Sequence, residues 1–140
     1  MAFNGYLIKV GSGSSAVEIP LTYMRAETYS VTPDQRLEWS AERDITGVLH
    51  RETVANMPPK IEFETPLMTN AQINVLNSWI RAAYTNEAER KLPIEFYDPE
   101  TDSYKTWDCY MPDVKYEIRN VDIANRVINY EQLRYAFIGY

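Results

Sequence analysis

The only histidine and the only cysteine are the two side chains best suited to catalysis. His50 could act as a general base, but that role needs a nucleophile or an orienting carboxylate in a recognisable setting, and none surrounds it. Cys109 lies between Asp108 and Tyr110, whereas a reactive thiol needs a basic, partly exposed environment. We therefore interpret His50 as a strand residue at a surface or interface, and Cys109 as a buried structural residue.

Three carboxylates, Asp98, Glu100 and Asp102, alternate along one short segment and have the chemistry to bind calcium. An EF-hand loop also needs a central glycine and a distal bidentate glutamate, and this segment has neither. Turn-forming residues fill the positions between them, so we expect a charged hairpin turn in solvent or against a neighbouring subunit. The sequence predicts no catalytic residue, no metal site and no cofactor. The rival hypothesis is a small enzyme or ligand-binding barrel, with its site at His50 or in this loop, and it requires a concave pocket.

The strongest local signal is the start of a helix. Thr69 is a good N-cap, and Gln72 stands three residues later, which is the spacing of a capping box. Ile73, Leu76 and Ile80 then recur at helical spacing. The sequence therefore predicts a helix over about residues 70–84 with this apolar stripe against a sheet.

Alternating apolar and polar residues predict strands through most of the remaining chain. Residues 60–64 alternate strictly, and residues 92–97 and 104–110 predict a hairpin across the acidic turn. Further strands are expected at residues 6–10, 17–19, 35–41, 48–53, 114–118 and 127–138, with a turn at 120–125. This pattern predicts a mainly β fold, an antiparallel β-sandwich or barrel with one packed α-helix, and a single domain over residues 1–140.

Composition excludes several classes of partner. The net charge of −6 argues against a broad basic surface for nucleic acid or anionic lipid. A single cysteine excludes an internal disulfide framework and fits a reducing cytoplasm. No apolar run approaches the roughly 20 residues of a transmembrane helix, so no membrane partner is expected. No secretory signal is recognisable at the N-terminus.

Several segments are better suited to contacts with another subunit than to a core. Eleven tyrosines are more than a core of this size needs, and the charged turn at 42–47 and the small polar loop at 11–15 have the character of arms. The segment 127–140 is mixed on both faces and ends in apolar residues. The candidate subunit-interface residues are Arg43, Asp44, His50, Arg51, Tyr135, Phe137 and Tyr140.

Three stretches together resemble a family of small proteins from phages and prophages of Gram-positive bacteria, which are encoded among tail genes. They are the opening Phe3–Val10, the segment Arg43–Arg51, and the strand Lys60–Phe63 that leads into the helix. The layout of strands around one helix is similar to the tail-tube and distal-tail group of phage proteins. The resemblance spans the whole chain, and its motifs are structural.

This resemblance implies a non-enzymatic structural protein of a phage tail or tail-like particle. The chain would assemble with itself into a six-fold ring of the tail tube, distal tail or baseplate, and would contact other tail or baseplate proteins. DNA would pass through the ring without sequence-specific binding, and the chain would be assembled in the bacterial host cytoplasm and located in the virion tail. The alternative is a head–tail connector, a tail terminator or a baseplate adaptor.

Overall fold

A computed structural model describes residues 3–140 of the chain. It confirms a mainly antiparallel β fold with a single α-helix. In chain order the strands and the helix are β1 (Ile8–Val10), β2 (Val17–Glu18), β3 (Ser30–Thr32), β4 (Glu38–Arg43), β5 (Leu49–Thr53), β6 (Lys60–Glu64), β7 (Met68–Thr69), α1 (Asn70–Ala83), β8 (Lys91–Asp98), β9 (Ser103–Tyr110), β10 (Ile118–Asp122), β11 (Val127–Tyr130) and β12 (Arg134–Gly139). Three short 3-10 turns lie at Gly13–Ser15, Leu21–Tyr23 and Ala26–Thr28.

The main sheet has seven strands in the order β2-β1-β8-β9-β12-β6-β3, and its neighbouring strands are antiparallel. The sheet consists of two ladders of paired strands, β2-β1-β8-β9 and β12-β6-β3. The two ladders meet between β9 and β12 through only two residue pairs, Ile138 with Tyr110 and Gly139 with Cys109. Two smaller sheets complete the fold: β10-β11-β7 has three strands, and β4-β5 is a separate two-stranded hairpin. The predicted hairpin around the acidic turn is therefore confirmed as β8-β9.

The helix packs its predicted stripe into the core. Ile73, Leu76 and Ile80 are its buried residues, and α1 lies against β1, β7, β8 and β11. The start of the helix has the predicted capping box, in which Oε1 of Gln72 accepts a 3.0 Å hydrogen bond from the backbone N–H of Thr69. Opposite the helix the core is filled by aliphatic and aromatic side chains of the main sheet, including Phe63 and Phe96. The predicted helix and its buried face are thus confirmed.

The single long strand predicted at 127–138 is wrong, because the structure divides this segment between two sheets. Residues 127–130 form β11 beside β7, and residues 134–139 form β12 beside β6. Between them Leu133 is buried, and its backbone N–H donates a 3.0 Å hydrogen bond to Oγ1 of Thr65. The chain turns inward at Leu133 and passes from one sheet to the other. The two halves of the segment therefore bury different faces, which explains why both faces carry polar and apolar residues.

The strand predicted at 114–118 and the turn predicted at 120–125 are also displaced. Residues 111–117 belong to no strand, β10 occupies residues 118–122, and the turn begins at Ile123. Val114 packs against the core, and the Tyr116 ring lies 6.3 Å from that of Tyr130. Val114 therefore covers the core edge from a non-strand backbone, whereas Ile118 lies in β10 and is exposed.

Candidate assembly interface

The hairpin of β4 and β5, here called the arm (Glu38–Thr53), is held away from the rest of the fold. Every residue of both strands is exposed, and the two strands pair only with each other. The arm nevertheless has large apolar side chains: Trp39 is 79% exposed and Ile45 is fully exposed. A strand was expected at residues 35–41, and β4 at Glu38–Arg43 overlaps it, but the apolar Trp39 in this strand lies in solvent. Such a surface is typical of protein–protein contacts.

The turn of the arm is built by Asp44 and Gly47. Oδ1 of Asp44 accepts hydrogen bonds from the backbone N–H of Thr46 at 2.9 Å, the Thr46 hydroxyl at 2.6 Å and the backbone N–H of Val48 at 3.0 Å. Gly47 has a φ of +87°, a left-handed conformation that favours glycine. These bonds, together with one from His50, lower the pKa of Asp44 to about 2. The arm is therefore a defined structure at its tip.

The four candidate residues on the arm interact with other groups of the arm itself. Nε2 of His50 lies 2.9 Å from Oδ2 of Asp44, and Nε of Arg51 lies 2.6 Å from Oε1 of Glu38. Arg43 donates a 2.9 Å hydrogen bond to the carbonyl oxygen of Gly47. The structure thus brings Arg43, Asp44, His50 and Arg51 together on one exposed hairpin, with their polar groups already paired within it.

The three C-terminal candidates lie elsewhere. Tyr135 and Phe137 are fully buried in the core of the subunit. The Tyr135 hydroxyl donates a 2.8 Å hydrogen bond to Oδ1 of Asn77, and burial raises the pKa of Tyr135. Only Tyr140 keeps an exposed ring, which lies under Nζ of Lys91 at 4.7 Å. We therefore leave Tyr135 and Phe137 out of the interface that we propose below.

A second exposed apolar surface was missed by sequence reasoning. The hairpin of β10 and β11, here called the second hairpin (Ile118–Tyr130), exposes Ile118, Val121 and Ile123, and Ile123 is 84% exposed. The signal in the sequence is the grouping of three large apolar residues around one turn, because a contiguous exposed apolar patch marks a contact surface. The prediction of a turn at residues 120–125 assigned no contact to Val121 or Ile123.

The groups considered for chemistry lie in separate elements of the fold. His50 stands on the exposed arm and lines neither the groove at the end of α1 nor the groove beside Arg134. Cys109 is buried as expected, and this burial raises the pKa of its thiol to about 12. An open groove of about 480 Å³ lies between the end of α1 and residues 111–116, and Arg90 in its wall pairs with Asp113 at 3.1 Å.

The expected acidic turn exposes Glu100 and Asp102, but Asp98 departs from the expectation, because its side chain is fully buried. Its carboxylate accepts hydrogen bonds from Nζ of Lys105 at 2.7 Å, the Thr101 hydroxyl at 2.9 Å and the backbone N–H of Glu100 at 2.9 Å. Burial acts to raise the pKa of Asp98, but these three donors outweigh it and hold the pKa below its usual value. Asp98 thus shapes the turn. Among residues 3–140 no group of three His, Cys, Asp or Glu side chains could hold a metal ion.

Comparison with known proteins gives one family and one similar solved structure. A family described as "Family of unknown function (DUF6711)" matches residues 1–140. The comparison with curated proteins gave no match. Among solved structures, a chain from "Tail of empty GTA particle computed with helical refinement, C6 symmetry" has the same fold, with a TM-score of 0.54 and 12% sequence identity. The superposition covers 99% of this chain and 95% of that chain. Over the described residues, no helix is long and apolar enough to cross a membrane.

Proposed function

We propose that this chain, which belongs to the family of unknown function DUF6711, is a non-enzymatic structural subunit of the tail of a phage or phage-like particle. In this proposal residues 1–140 form one domain, and copies of it assemble into a closed six-fold ring. Ring positions in the tail tube, the distal tail and the baseplate all fit this role. The ring would lie in the virion tail after assembly in the host cytoplasm.

The observation on which the proposal depends most is the arm. A hairpin with Trp39 and Ile45 in solvent buries little apolar surface within its own subunit. Leaving such side chains in water costs about 25 cal/mol for each Å² that a partner could cover. The hydrogen bonds of Asp44 fix the turn of the arm, and β4 pairs with β5 behind it, so a neighbouring subunit can bind the arm at a reduced entropic cost.

The fold of the tail chain supports the same proposal. That likeness extends over nearly all of both chains, and the neighbour comes from a tail with six-fold symmetry. A closed ring repeats one heterologous contact at every subunit boundary, so even a modest contact is multiplied around the ring. Specific interfaces of this kind bury more than about 1,000 Å² in total. In this proposal the arm and the other exposed apolar surfaces are buried in that interface.

The net negative charge of the chain fits a ring through which DNA passes. With a net charge of −6 for each copy, a six-membered ring has a strongly negative field. Such a field repels the DNA backbone, because the phosphates are also negative. DNA would therefore slide through the ring without being retained.

Electron microscopy of the purified chain tests the proposal. We expect class averages of a closed ring with six-fold symmetry at high protein concentration. Stacked rings would favour a tail tube, and single rings would favour a distal-tail, baseplate or connector position. A chain that remains monomeric at every concentration, both alone and in an extract from cells that produce the particle, would overturn the proposal.

A further inference from the structure

We propose that the arm of one copy docks against the second hairpin of the next copy around the ring. The inference depends on the proposed function above and deepens it by naming the surface that receives the arm. A heterologous contact that closes a ring needs two different complementary surfaces on each chain. The two hairpins that stand outside the main sheet supply such a pair.

Both hairpins expose apolar side chains that the subunit itself does not cover. Trp39 and Ile45 are exposed on the arm, and Val121 and Ile123 are exposed on the second hairpin. Apolar cores surrounded by polar rims are the usual centre of a protein–protein contact. Packing one hairpin on the other would bury both sets at one boundary.

The net charges of the two hairpins are opposite. The arm has four carboxylates and two arginines, which gives a net charge of −2 with His50 neutral. The second hairpin has Arg119 and Arg126 against Asp122, a net charge of +1. Because charge complementarity selects partners and orients them during encounter, the arm is better matched to the second hairpin than to another arm.

The charges that lack an ionic partner within the subunit are also complementary. Two of the four carboxylates of the arm are paired within it: Glu38 with Arg51, and Asp44 with His50. Among the described residues, the other two, Glu42 and Glu52, form no ion pair. Glu42 pairs across the arm with His50, and Ser40 pairs with Glu52. Strand alternation therefore places both free carboxylates on one face of the arm.

The second hairpin offers the opposite set of free charges. Arg119 and Arg126 form no ion pair within the described part of the chain. In addition, β10 is an edge strand of its sheet, so its outer row of backbone N–H and C=O groups has no ladder partner. An arm strand placed along this edge would satisfy those groups by strand addition.

Charge reversal on each side, followed by a swap, tests the docking. The variants are Glu42→Arg with Glu52→Arg, Arg119→Glu with Arg126→Glu, and all four changes together. The control is Glu18→Arg with Glu100→Arg, two exposed carboxylates that lie outside both hairpins and form no ion pair. Sedimentation velocity gives the protein concentration at which half of each variant is assembled, and circular dichroism checks that each variant is folded.

We expect each double reversal to raise the half-assembly concentration by about tenfold or more, because like charges then face each other. The fourfold swap should return it close to the wild-type value, and the control should leave it unchanged. If the wild type forms rings but the reversals behave like the control, or the swap fails to rescue, the docking is wrong and the ring stands. If the wild type forms no rings either alone or in an extract from cells that produce the particle, the proposed function fails, and this inference fails with it.

Discussion

The carbonyl oxygen of Tyr140 accepts a 2.9 Å hydrogen bond from Nε1 of Trp107. The backbone N–H of Tyr140 in turn donates to the carbonyl oxygen of Asp108 at 3.1 Å. These two bonds attach the end of β12 to β9 at the point where the two ladders of the main sheet meet. The C-terminal segment therefore belongs to the fold of the subunit.

Deletion of residues 136–140 should abolish cooperative folding. The deletion removes the fully buried Phe137 and most of the pairing between β12 and β6. Loss of one buried aromatic side chain alone costs about 3–5 kcal/mol, which is a large part of the stability of a small domain. Thermal unfolding followed by circular dichroism measures the effect, with Tyr140→Ala as the control. A truncated chain that melts near the wild-type temperature but does not assemble would contradict the prediction.

Leu76→Ala should lower the free energy of unfolding by about 2–5 kcal/mol, because Leu76 is fully buried between α1 and the main sheet. Val75→Ala is the matched control on the same helix, since Val75 is exposed, and we expect a change of less than about 0.5 kcal/mol there. Chemical denaturation measures both values. Equal losses for the two variants would show that the Leu76 stripe is not core.

Asp98→Asn should remove stability that depends on pH. In the folded chain the donors around Asp98 hold its pKa below the unfolded value of about 3.9. A carboxyl with a lowered folded pKa contributes stability that is complete above the unfolded pKa and is lost as the pH falls through the folded pKa. The difference in stability between wild type and Asp98→Asn should therefore be largest above about pH 4 and should shrink in more acidic solution.

Denaturant titrations at a series of pH values measure this difference, and Asp113→Asn serves as the control because Asp113 is exposed. A gap between wild type and Asp98→Asn that stays constant from neutral pH down to strong acid would show that the charge of Asp98 does not stabilise the turn.

Gly139→Ala should destabilise the junction between the two ladders. A Cβ atom at residue 139 would lie 2.5 Å from Cδ of Pro59 and 2.9 Å from both Cβ of Pro58 and Cδ1 of Trp107. Relief of such contacts by movement of the chain typically costs about 1–3 kcal/mol. The midpoint of urea unfolding measures this cost, and an unchanged midpoint would mean that the junction is looser than the structure indicates.

The sequence predicts best where local signals and burial agree. Thr69 and Gln72 form a capping box, which is a local signal for the start of a helix. The apolar stripe of Ile73, Leu76 and Ile80 is also buried, so the local signal and the tertiary packing agree. The hairpin of β8 and β9 was found in the same way, because alternation flanks a turn rich in turn-forming residues. Asp98 was misjudged, because the sequence does not show that Lys105, which stands opposite Phe96 in the hairpin, reaches Asp98 and compensates its buried charge.

Alternation alone does not say which surface a strand face covers. Trp39 alternates with polar neighbours as a core residue would, yet it lies in solvent on the arm. Leu133 interrupts an otherwise continuous strand pattern, but only the tertiary structure shows that it turns into the core and divides β11 from β12. Alternation also does not separate interface residues from core residues among the interface candidates. Residues 43–51 are exposed on the arm, whereas Tyr135 and Phe137 are buried in the core.

The central claim is that the apolar side chains of the arm drive assembly of this chain into a ring. Native mass spectrometry of the wild type and of Trp39→Ser with Ile45→Ser tests it most directly, with Leu21→Ser as a control at an exposed leucine outside both hairpins. We expect hexamers for the wild type and for the control, and monomers for the arm variant with an unchanged unfolding temperature. Hexamers of equal abundance in all three proteins, or monomers in all three, would contradict the claim.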